Sequence, residues 1–343
     1  MLERKMPIFR GKFRRFACFG ATLLMPVPFA AVAFGQGKVI SIDVPGSQQY
    51  TFLTGINAGF VTTGFYIGTD NAAQHGFIRS AQGIFTTFDV GPGTLTSPYS
   101  INAGGDVTGF YAGSDARSHG FVRTAQGTIT TFDPAGSVTT LPTSINSAGS
   151  VAGYFQDAGG VSHGFMRNPQ GLITIFDPPG SIETMVSGGD LIGSSTGTYV
   201  DANEVKHGFV RNARGTITSF DVPGSLCTVA NGISSGKVAG YYCDETFHLH
   251  GYFRNSEGTI TLFDVPGGVS TVASRIAGNM IAGSYSDSNF QQHLFIRDGQ
   301  GAITSFDVPG SVAVGALGVN ELGGVAGIYS DNSSYTHGFL RIP

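Results

Sequence analysis

Histidine and aspartate recur along this 343-residue sequence at a spacing that could support proton transfer. Seven of the eight histidines follow one another at intervals of 43 or 44 residues, and an aspartate lies 14 residues after each of the first six. A histidine beside a carboxylate is a common arrangement for general acid–base catalysis. The series consists of His75 and Asp89, His119 and Asp133, His163 and Asp177, His207 and Asp221, His250 and Asp264, and His293 and Asp307, with His337 and Asp43 at the two ends.

The repetition favours a structural role for these pairs over a catalytic one. Between His75 and Asp89, turn residues at 80–83 predict a two-stranded hairpin whose open end brings the histidine and the aspartate together. A hydrogen bond there would satisfy polar atoms in every repeat. A catalytic site, in contrast, is a single group of residues and does not need a copy in each repeat. Because histidine titrates near neutrality, we also expect pH-dependent stability, with a loss near about pH 5–6.

The histidines belong to a repeat of about 44 residues that contains four short strand-like segments. In the third copy these segments are 139–145, 150–155, 163–167 and 172–177, and clusters of Gly, Pro, Asn and Ser separate them. No segment has helical periodicity over a useful length. Four strands per repeat of this size are typical of a propeller blade. The sequence therefore predicts an all-β, seven-bladed β-propeller with four-stranded blades.

The two chain ends predict how such a ring closes. Residues 39–43 resemble a lone fourth strand, and residues 337–341 resemble a lone third strand. If the N-terminal strand completes the last blade, neither sheet edge is left open to pair with another chain. We therefore expect one domain, 36–343, closed by its first strand.

Composition excludes several other classes of protein. Glycine accounts for 52 residues, and charged residues make up only 12% of the chain. Glycine is a poor helix former, and a disordered chain needs more charge and less hydrophobicity than this one has. Collagen would need a strict three-residue glycine period. These features favour a turn-rich β protein.

The first 35 residues have the layout of a secretory signal peptide. Six basic residues precede the apolar stretch 21–34, which is too short and too proline-interrupted for a comfortable membrane span. An uncleaved N-terminal anchor is the alternative. Cleavage would leave 13 basic and 22 acidic residues, a net charge of −9, which disfavours nucleic-acid binding. We expect a secreted protein, extracellular or periplasmic, without a membrane span in its mature chain.

One string of the repeat resembles a known family. The segment 145–154, INSAGSVAGY, is followed about ten residues later by His-Gly-Phe. This pattern is similar to the extracellular repeat family named for its His-Ala-Phe tripeptide, with Gly replacing Ala in six copies and Leu294 in the other. The resemblance covers nearly all of 37–343. It implies a propeller-like protein of the bacterial cell envelope or exterior, and it supplies no catalytic residues.

Two further series recur once in each repeat. An arginine ends each His-Gly-Phe string and is expected to stack between blades, with an arginine ring for anionic sugars as the alternative. We predict no cofactor. Calcium is kept open because a second series of aspartates lies in oxygen-rich loops, although Asx turns are the favoured use. These aspartates are Asp70, Asp115, Asp157, Asp201, Asp244, Asp287 and Asp331.

Two cysteines and one histidine stand outside the repeat pattern. Cys227 and Cys243 flank a hairpin centred near Ser235, which places them opposite each other. Export to an oxidising compartment would allow a disulfide, with two buried thiols as the alternative. His248 lies close to Asp244 in one loop, where a solvated loop is favoured over a local metal or acid–base site.

The sequence keeps two classes of function open. The regular repetition favours a non-enzymatic binding or scaffold protein, whose loops hold a glycan or an extracellular protein. The alternative is a secreted enzyme acting on polysaccharide, with its site at the propeller axis. An enzyme should have a pocket whose lining differs between blades and includes perturbed carboxylates. Oligomeric state is left open.

Overall fold

The computed structural model describes residues 37–69 and 73–343, and these residues form 28 strands and no helix. They belong to one compact unit, and the predicted signal peptide, 1–35, lies outside the described residues. The strands are β1 (Lys38–Ile42), β2 (Ser47–Ile56), β3 (Thr62–Gly68), β4 (Gln74–Arg79), β5 (Phe85–Phe88), β6 (Leu95–Ile101), β7 (Val107–Ala112), β8 (Ser118–Arg123), β9 (Ile129–Phe132), β10 (Ser137–Ile145), β11 (Val151–Asp157), β12 (Ser162–Arg167), β13 (Ile173–Phe176), β14 (Ser181–Gly189), β15 (Ser195–Asp201), β16 (Lys206–Arg211), β17 (Ile217–Phe220), β18 (Cys227–Ser234), β19 (Lys237–Cys243), β20 (Leu249–Arg254), β21 (Ile260–Phe263), β22 (Gly268–Ala277), β23 (Met280–Asp287), β24 (Gln292–Arg297), β25 (Ile303–Phe306), β26 (Ala313–Val319), β27 (Val325–Ser330) and β28 (Thr336–Ile342).

Antiparallel pairing joins these strands into four-stranded sets that follow chain order. The sets are β2–β5, β6–β9, β10–β13, β14–β17, β18–β21 and β22–β25, and β26–β28 continue the pattern. Strand β1 pairs antiparallel with β28 and places Ile42 opposite Gly338. In the first set, β5 places Phe88 opposite Gly76 in the same way. Strand β1 therefore takes the fourth place beside β26–β28.

An aromatic side chain on the third strand forms the core of each set. The glycine before it allows the close approach of the fourth strand, because a Cβ on Gly120 would lie 2.7 Å from the ring of Phe132. In the sixth set the buried Leu294 takes the place of this glycine. The fully buried aromatic residues are Phe77, Phe121, Phe165, Phe209, Tyr252, Phe295 and Phe339.

Neighbouring sets pack through aromatic rings and arginines. Phe132 of one set meets Phe165 of the next edge to face, with ring centroids 5.9 Å apart. The guanidinium of Arg167 lies 5.0 Å from the centre of the Phe132 ring, a favourable cation–π contact. The expected stacking of the repeat arginines between sets is therefore present. Equivalent pairs are Arg123 with Phe88, Arg211 with Phe176, Arg254 with Phe220, Arg297 with Phe263, and Arg341 with Phe306.

In the part of the chain that the structure describes, no helix is long and apolar enough to cross a membrane.

Candidate functional site

The structure brings every predicted histidine together with its predicted aspartate. In each pair the Nδ1 atom of the imidazole lies 2.6–3.0 Å from a carboxylate oxygen. The hairpin register explains the six local pairs, because the turn between the third and fourth strands has a constant length. His337 reaches Asp43 at 2.9 Å although 294 positions separate them, since β1 lies beside β28. These seven pairs are called the histidine network.

A second aspartate approaches most of these histidines from the other side. The Nε2 atom of His119 lies 3.1 Å from Asp115, and that of His250 lies 3.2 Å from Asp244. Longer ion pairs of 3.5–3.7 Å join His163 to Asp157, His207 to Asp201, His293 to Asp287, and His337 to Asp331. Sequence reasoning missed this partner. The signal was present, because the second aspartate precedes the histidine by six residues in five repeats.

Each histidine ring also packs on an aromatic ring of the neighbouring second strand. Tyr199 and His207 stack with centroids 5.0 Å apart, and Tyr329 and His337 stack at 4.9 Å. In the third set Phe155 takes the place of the tyrosine, with centroids 5.3 Å apart. The imidazoles are therefore held on one face and hydrogen-bonded at their edges, which leaves them half-buried.

The paired carboxylates favour the charged form of histidine. The hydrogen bond to Asp133 raises the pKa of His119; burial partly opposes this, and Asp115 adds to it. Asp177 and Asp307 act in the same way on the pKa values of His163 and His293. A carboxylate only accepts, so an imidazole between two carboxylates is best satisfied when both nitrogens carry protons.

At His250 the effects that lower and raise the imidazole pKa are closer in size. Burial of the imidazole lowers its pKa, and the hydrogen bonds to Asp264 and Asp244 together outweigh that effect, so the pKa is raised here too.

This direction corrects the expected pH dependence. A raised histidine pKa adds stability that is fully present below about pH 6.5 and is lost as the pH rises through the folded-state value. The predicted loss of stability on acidification to about pH 5–6 was therefore wrong in sign, because the neighbouring carboxylates stabilise the imidazolium.

The second aspartate series forms the expected Asx turns. Asp157 Oδ1 accepts the backbone N–H groups of Gly159 and Val161 at 2.8 and 2.9 Å. The bond from Val161 is the main cause that lowers the pKa of Asp157. Asp201, Asp287 and Asp331 accept the corresponding pair of N–H groups.

Calcium dependence stays a prediction. Among residues 37–69 and 73–343, no group of three or more His, Cys, Asp or Glu side chains could hold a metal ion. Asp70, a member of the second aspartate series, lies outside the described residues.

The residues outside the repeat pattern have local roles. Cys227 and Cys243 lie directly opposite each other in β18 and β19, and the structure joins them by a disulfide with Cα atoms 5.1 Å apart. His248 is exposed, and its Nδ1 atom lies 2.7 Å from the Thr246 hydroxyl. The Nδ1 atom of His248 lies 3.9 Å from Asp244 Oδ2. His248 therefore belongs to a solvated turn.

Two exposed phenylalanines occupy equivalent turns in consecutive sets. Phe247 and Phe290 each lie between the second and third strands, with left-handed φ values of 64° and 61°. Their side chains are 76% and 82% exposed. Gly160 holds the equivalent position in the third set and Glu204 in the fourth. A bulky residue in this conformation is strained, and these rings gain little packing in return.

A cavity of about 140 Å³ is lined by the first strands of all sets. We call it the central chamber. Aliphatic side chains, among them Ile56, Ile101 and Ile233, lie between it and a second cavity of about 280 Å³. The chamber is lined by residues 54–56, 99–101, 143–144, 187–189, 231–233, 275–276 and 317–319.

Most of the chamber lining is small or uncharged. Arg275 is the one charged side chain among the residues that line it. Sequence reasoning missed Arg275, although it stands where the other repeats have Gly or Ser.

Solved structures with similar folds have very different sequences. The β-propeller domain of the Trilobed protease from Pyrococcus furiosus, which has an open velcro topology, superposes with a TM-score of 0.61 at 11% identity, over 85% of this chain and 95% of that one. The β-propeller domain of Cps50 (Swd1) from Myceliophteria thermophila superposes with a TM-score of 0.53 at 10% identity, over 89% of this chain and 98% of that one. A puromycin hydrolase gives 0.52 at 11% identity over 87% of this chain, which spans about half the hydrolase's length.

No family model matches the chain, and no curated protein sequence matches it significantly. At these identities the structural likeness shows the fold alone. The chain is therefore an all-β protein of four-stranded sheets with the β-propeller fold.

Proposed function

We propose that the four-stranded sets are the blades of a seven-bladed ring closed by β1. The pairing of β1 with β28 supports closure, as does a single parallel bridge between Tyr50 of β2 and Thr336 of β28. Asn320 Nδ2 donates to the carbonyl of Asn57 at 3.1 Å, which ties the last repeat to the first. The same bond joins Asn57 to the carbonyl of Asn102 at 3.0 Å and Asn102 to that of Asn146 at 3.0 Å.

We propose that this propeller acts outside the cytoplasm. The signal-peptide pattern of 1–35 and the resemblance to the His-Ala-Phe repeat family support export to the periplasm or the exterior. A disulfide between Cys227 and Cys243 suits an oxidising compartment. The test is thiol titration of the purified, unfolded protein before and after reduction. Two thiols that appear only after reduction support this proposal, and two that titrate without reduction contradict it.

We propose that the histidine network is structural. General base catalysis needs a nitrogen free to take a proton from the substrate. In the sets that contain His119 and His250, both ring nitrogens already face carboxylates. In these two blades the network therefore links the turn after the second strand to the third strand and to the end of the fourth.

We propose a non-enzymatic binding protein whose ligand is a glycan or protein outside the cell. The observation that carries this proposal is the pair of exposed phenylalanines, Phe247 and Phe290. Glycine at Gly160 shows how such a turn avoids strain, so two aromatic rings kept at this position are better explained by a ligand than by stability. Exposed aromatic rings on loops are frequent ligand contacts.

The experiment is a glycan-array screen of the mature chain, with and without calcium. Phe247→Gly, Phe290→Gly and the double variant should fold normally and lose the signal. Glu204→Gly is the matched control, since it makes the same change at the equivalent turn of another blade and should bind as the wild type does. Binding that persists in the double variant would contradict the placement of the site.

Silence across the array would remove glycans as the ligand. Co-purification from the source envelope would then be the test for a protein ligand. In that experiment the double variant should lose the partner that the Glu204→Gly variant retains. Loss of array signal without calcium would support the aspartate loops as calcium ligands.

A further inference from the structure

The central chamber contains one charged side chain among the residues that line it, that of Arg275. The position two residues before Asn57, and its equivalent in each other blade, faces the chamber. Six blades have Gly or Ser at this position, which leaves room at the centre. The sixth blade has arginine instead. The seven residues are Gly55, Ser100, Ser144, Gly188, Gly232, Arg275 and Gly318.

Arg275 is held in place by backbone carbonyls. Its Nε donates to the carbonyl of Leu317 at 3.0 Å, and its Nη1 donates to that of Ser274 at 2.9 Å. These two bonds fix the guanidinium plane and use two of its five N–H groups. The side chain is therefore oriented before any ligand arrives.

The guanidinium of Arg275 has no carboxylate partner within the described ranges 37–69 and 73–343. Its polar partners there are the carbonyls of Leu317 and Ser274, and Tyr99 is the titratable group that interacts with it electrostatically. Burial lowers the pKa of Arg275, yet a guanidinium keeps its charge in proteins. A partly desolvated charge without a counter-charge is costly, so an anion is the ligand that this chamber favours.

The remaining lining suits an organic anion. Thr54, Thr143 and Asn231 give the chamber a polar wall, while Ile56 and Ile276 contribute apolar surface. The volume of about 140 Å³ is similar to that of an engineered cavity of about 150 Å³ that holds benzene. An arginine fork matches the two oxygens of a carboxylate better than it matches a spherical ion.

We propose that the central chamber is a binding site for a small organic acid, whose carboxylate pairs with the Arg275 guanidinium. The apolar part of the acid lies against the isoleucine side chains, and the Thr54 and Thr143 hydroxyls, which already donate to backbone carbonyls, can accept hydrogen bonds from it. This site is separate from the turns that carry Phe247 and Phe290. A test of this site therefore does not depend on whether a glycan or protein binds at the turns that carry Phe247 and Phe290.

The experiment measures binding of acetate, butyrate and benzoate to the mature chain by saturation-transfer NMR and calorimetry. Benzamide serves as the neutral counterpart of benzoate, and phosphate and chloride serve as inorganic anions. Benzoate should bind at least tenfold more tightly than benzamide. Arg275→Ser, which installs the residue found in two other blades, should weaken benzoate binding at least tenfold.

Two further variants make the result decisive. Arg214→Ser removes an exposed arginine and should leave benzoate binding unchanged, which controls for net charge. Arg275→Lys keeps the charge without the fork, so its affinity should fall between those of the wild type and Arg275→Ser. If Arg275→Ser does not fold, the Arg275→Lys variant and the comparison of benzoate with benzamide still test whether the guanidinium binds the carboxylate.

Three results would overturn the proposal. They are an absence of carboxylate binding by the wild type, equal binding by folded Arg275→Ser, and binding of phosphate or chloride as tight as that of benzoate. The last would identify the chamber as a site for an adventitious ion only.

Discussion

The histidine network and the central chamber differ in how strictly the repeats agree. The network places a histidine against an aspartate in every set, with Nδ1 distances within 2.6–3.0 Å. The chamber has a small residue in six of the seven sets and Arg275 in the sixth set. Network residues join neighbouring strands, so each one is constrained by its partners. Chamber residues differ in how much room they have, because an added Cβ would meet nothing nearer than 3.8 Å at Gly188 but would lie 3.1–3.3 Å from a neighbouring set at Gly55, Gly232 and Gly318.

The largest expected effect tests this contrast with two glycines of one blade. A Cβ on Gly197 would lie 2.0 Å from the carbonyl oxygen of Met185, whereas a Cβ on Gly188 would meet nothing nearer than 3.8 Å. Gly197→Ala should therefore lower the free energy of unfolding by on the order of 4 kcal/mol, and Gly188→Ala should change it by less than about 0.5 kcal/mol. Urea unfolding of both variants measures this. Equal losses would mean that the chamber wall is packed.

The next effect compares two arginines of the sixth blade. Arg297 lies 5.1 Å over the Phe263 ring, and Arg297→Ser should cost about 1–2 kcal/mol through lost packing and cation–π contact. Arg275→Ser should leave thermal stability unchanged or raise it, because it removes a partly desolvated charge. Thermal melts of the two variants provide the measurement. A larger loss for Arg275→Ser would show that this arginine stabilises the packing of neighbouring sets.

A smaller effect is expected from one member of the histidine network. His163→Ala removes a 2.8 Å hydrogen bond to Asp177 and should cost about 1 kcal/mol, because partial exposure weakens the interaction. His248→Ala is the control, since this histidine is exposed and makes only a local contact. Urea unfolding distinguishes them. If both variants match the wild type, the network contributes nothing measurable.

The smallest effect is the change in pH dependence. The raised pKa values of His119, His163 and His293 predict that the melting temperature rises as the pH is lowered from 8 to 6. The lowered pKa values of Asp157 and Asp201 predict that stability is lost again below about pH 4. The His163→Ala variant should show a slightly shallower rise. Thermal melts between pH 8 and pH 3 at constant ionic strength test both the rise and the later loss. A melting temperature that falls from pH 8 to 6 contradicts the predicted rise.

The sequence predicted the all-β fold, the four-stranded repeats and the first partner of each histidine. These features follow from patterns that are local in the chain, such as strand alternation and turn length. It missed the second carboxylate on His250, although Asp244 precedes the histidine by only six residues. It also predicted the opposite sign of the pH effect, although the first aspartate partner alone favours the charged imidazole and raises the histidine pKa.

The sequence by itself determined which residues are opposite each other within a hairpin. Cys227 and Cys243 are an example, because their register is counted along one short segment. Only the tertiary structure decided which residues meet between distant segments. It confirmed the pairing of Asp43 with His337 that the two lone strands predicted, and it placed Arg275 in a chamber lined by the first strands of all sets. The physical reason is that a hairpin register depends on turn length alone, whereas contacts between sets depend on how all the sheets pack in space.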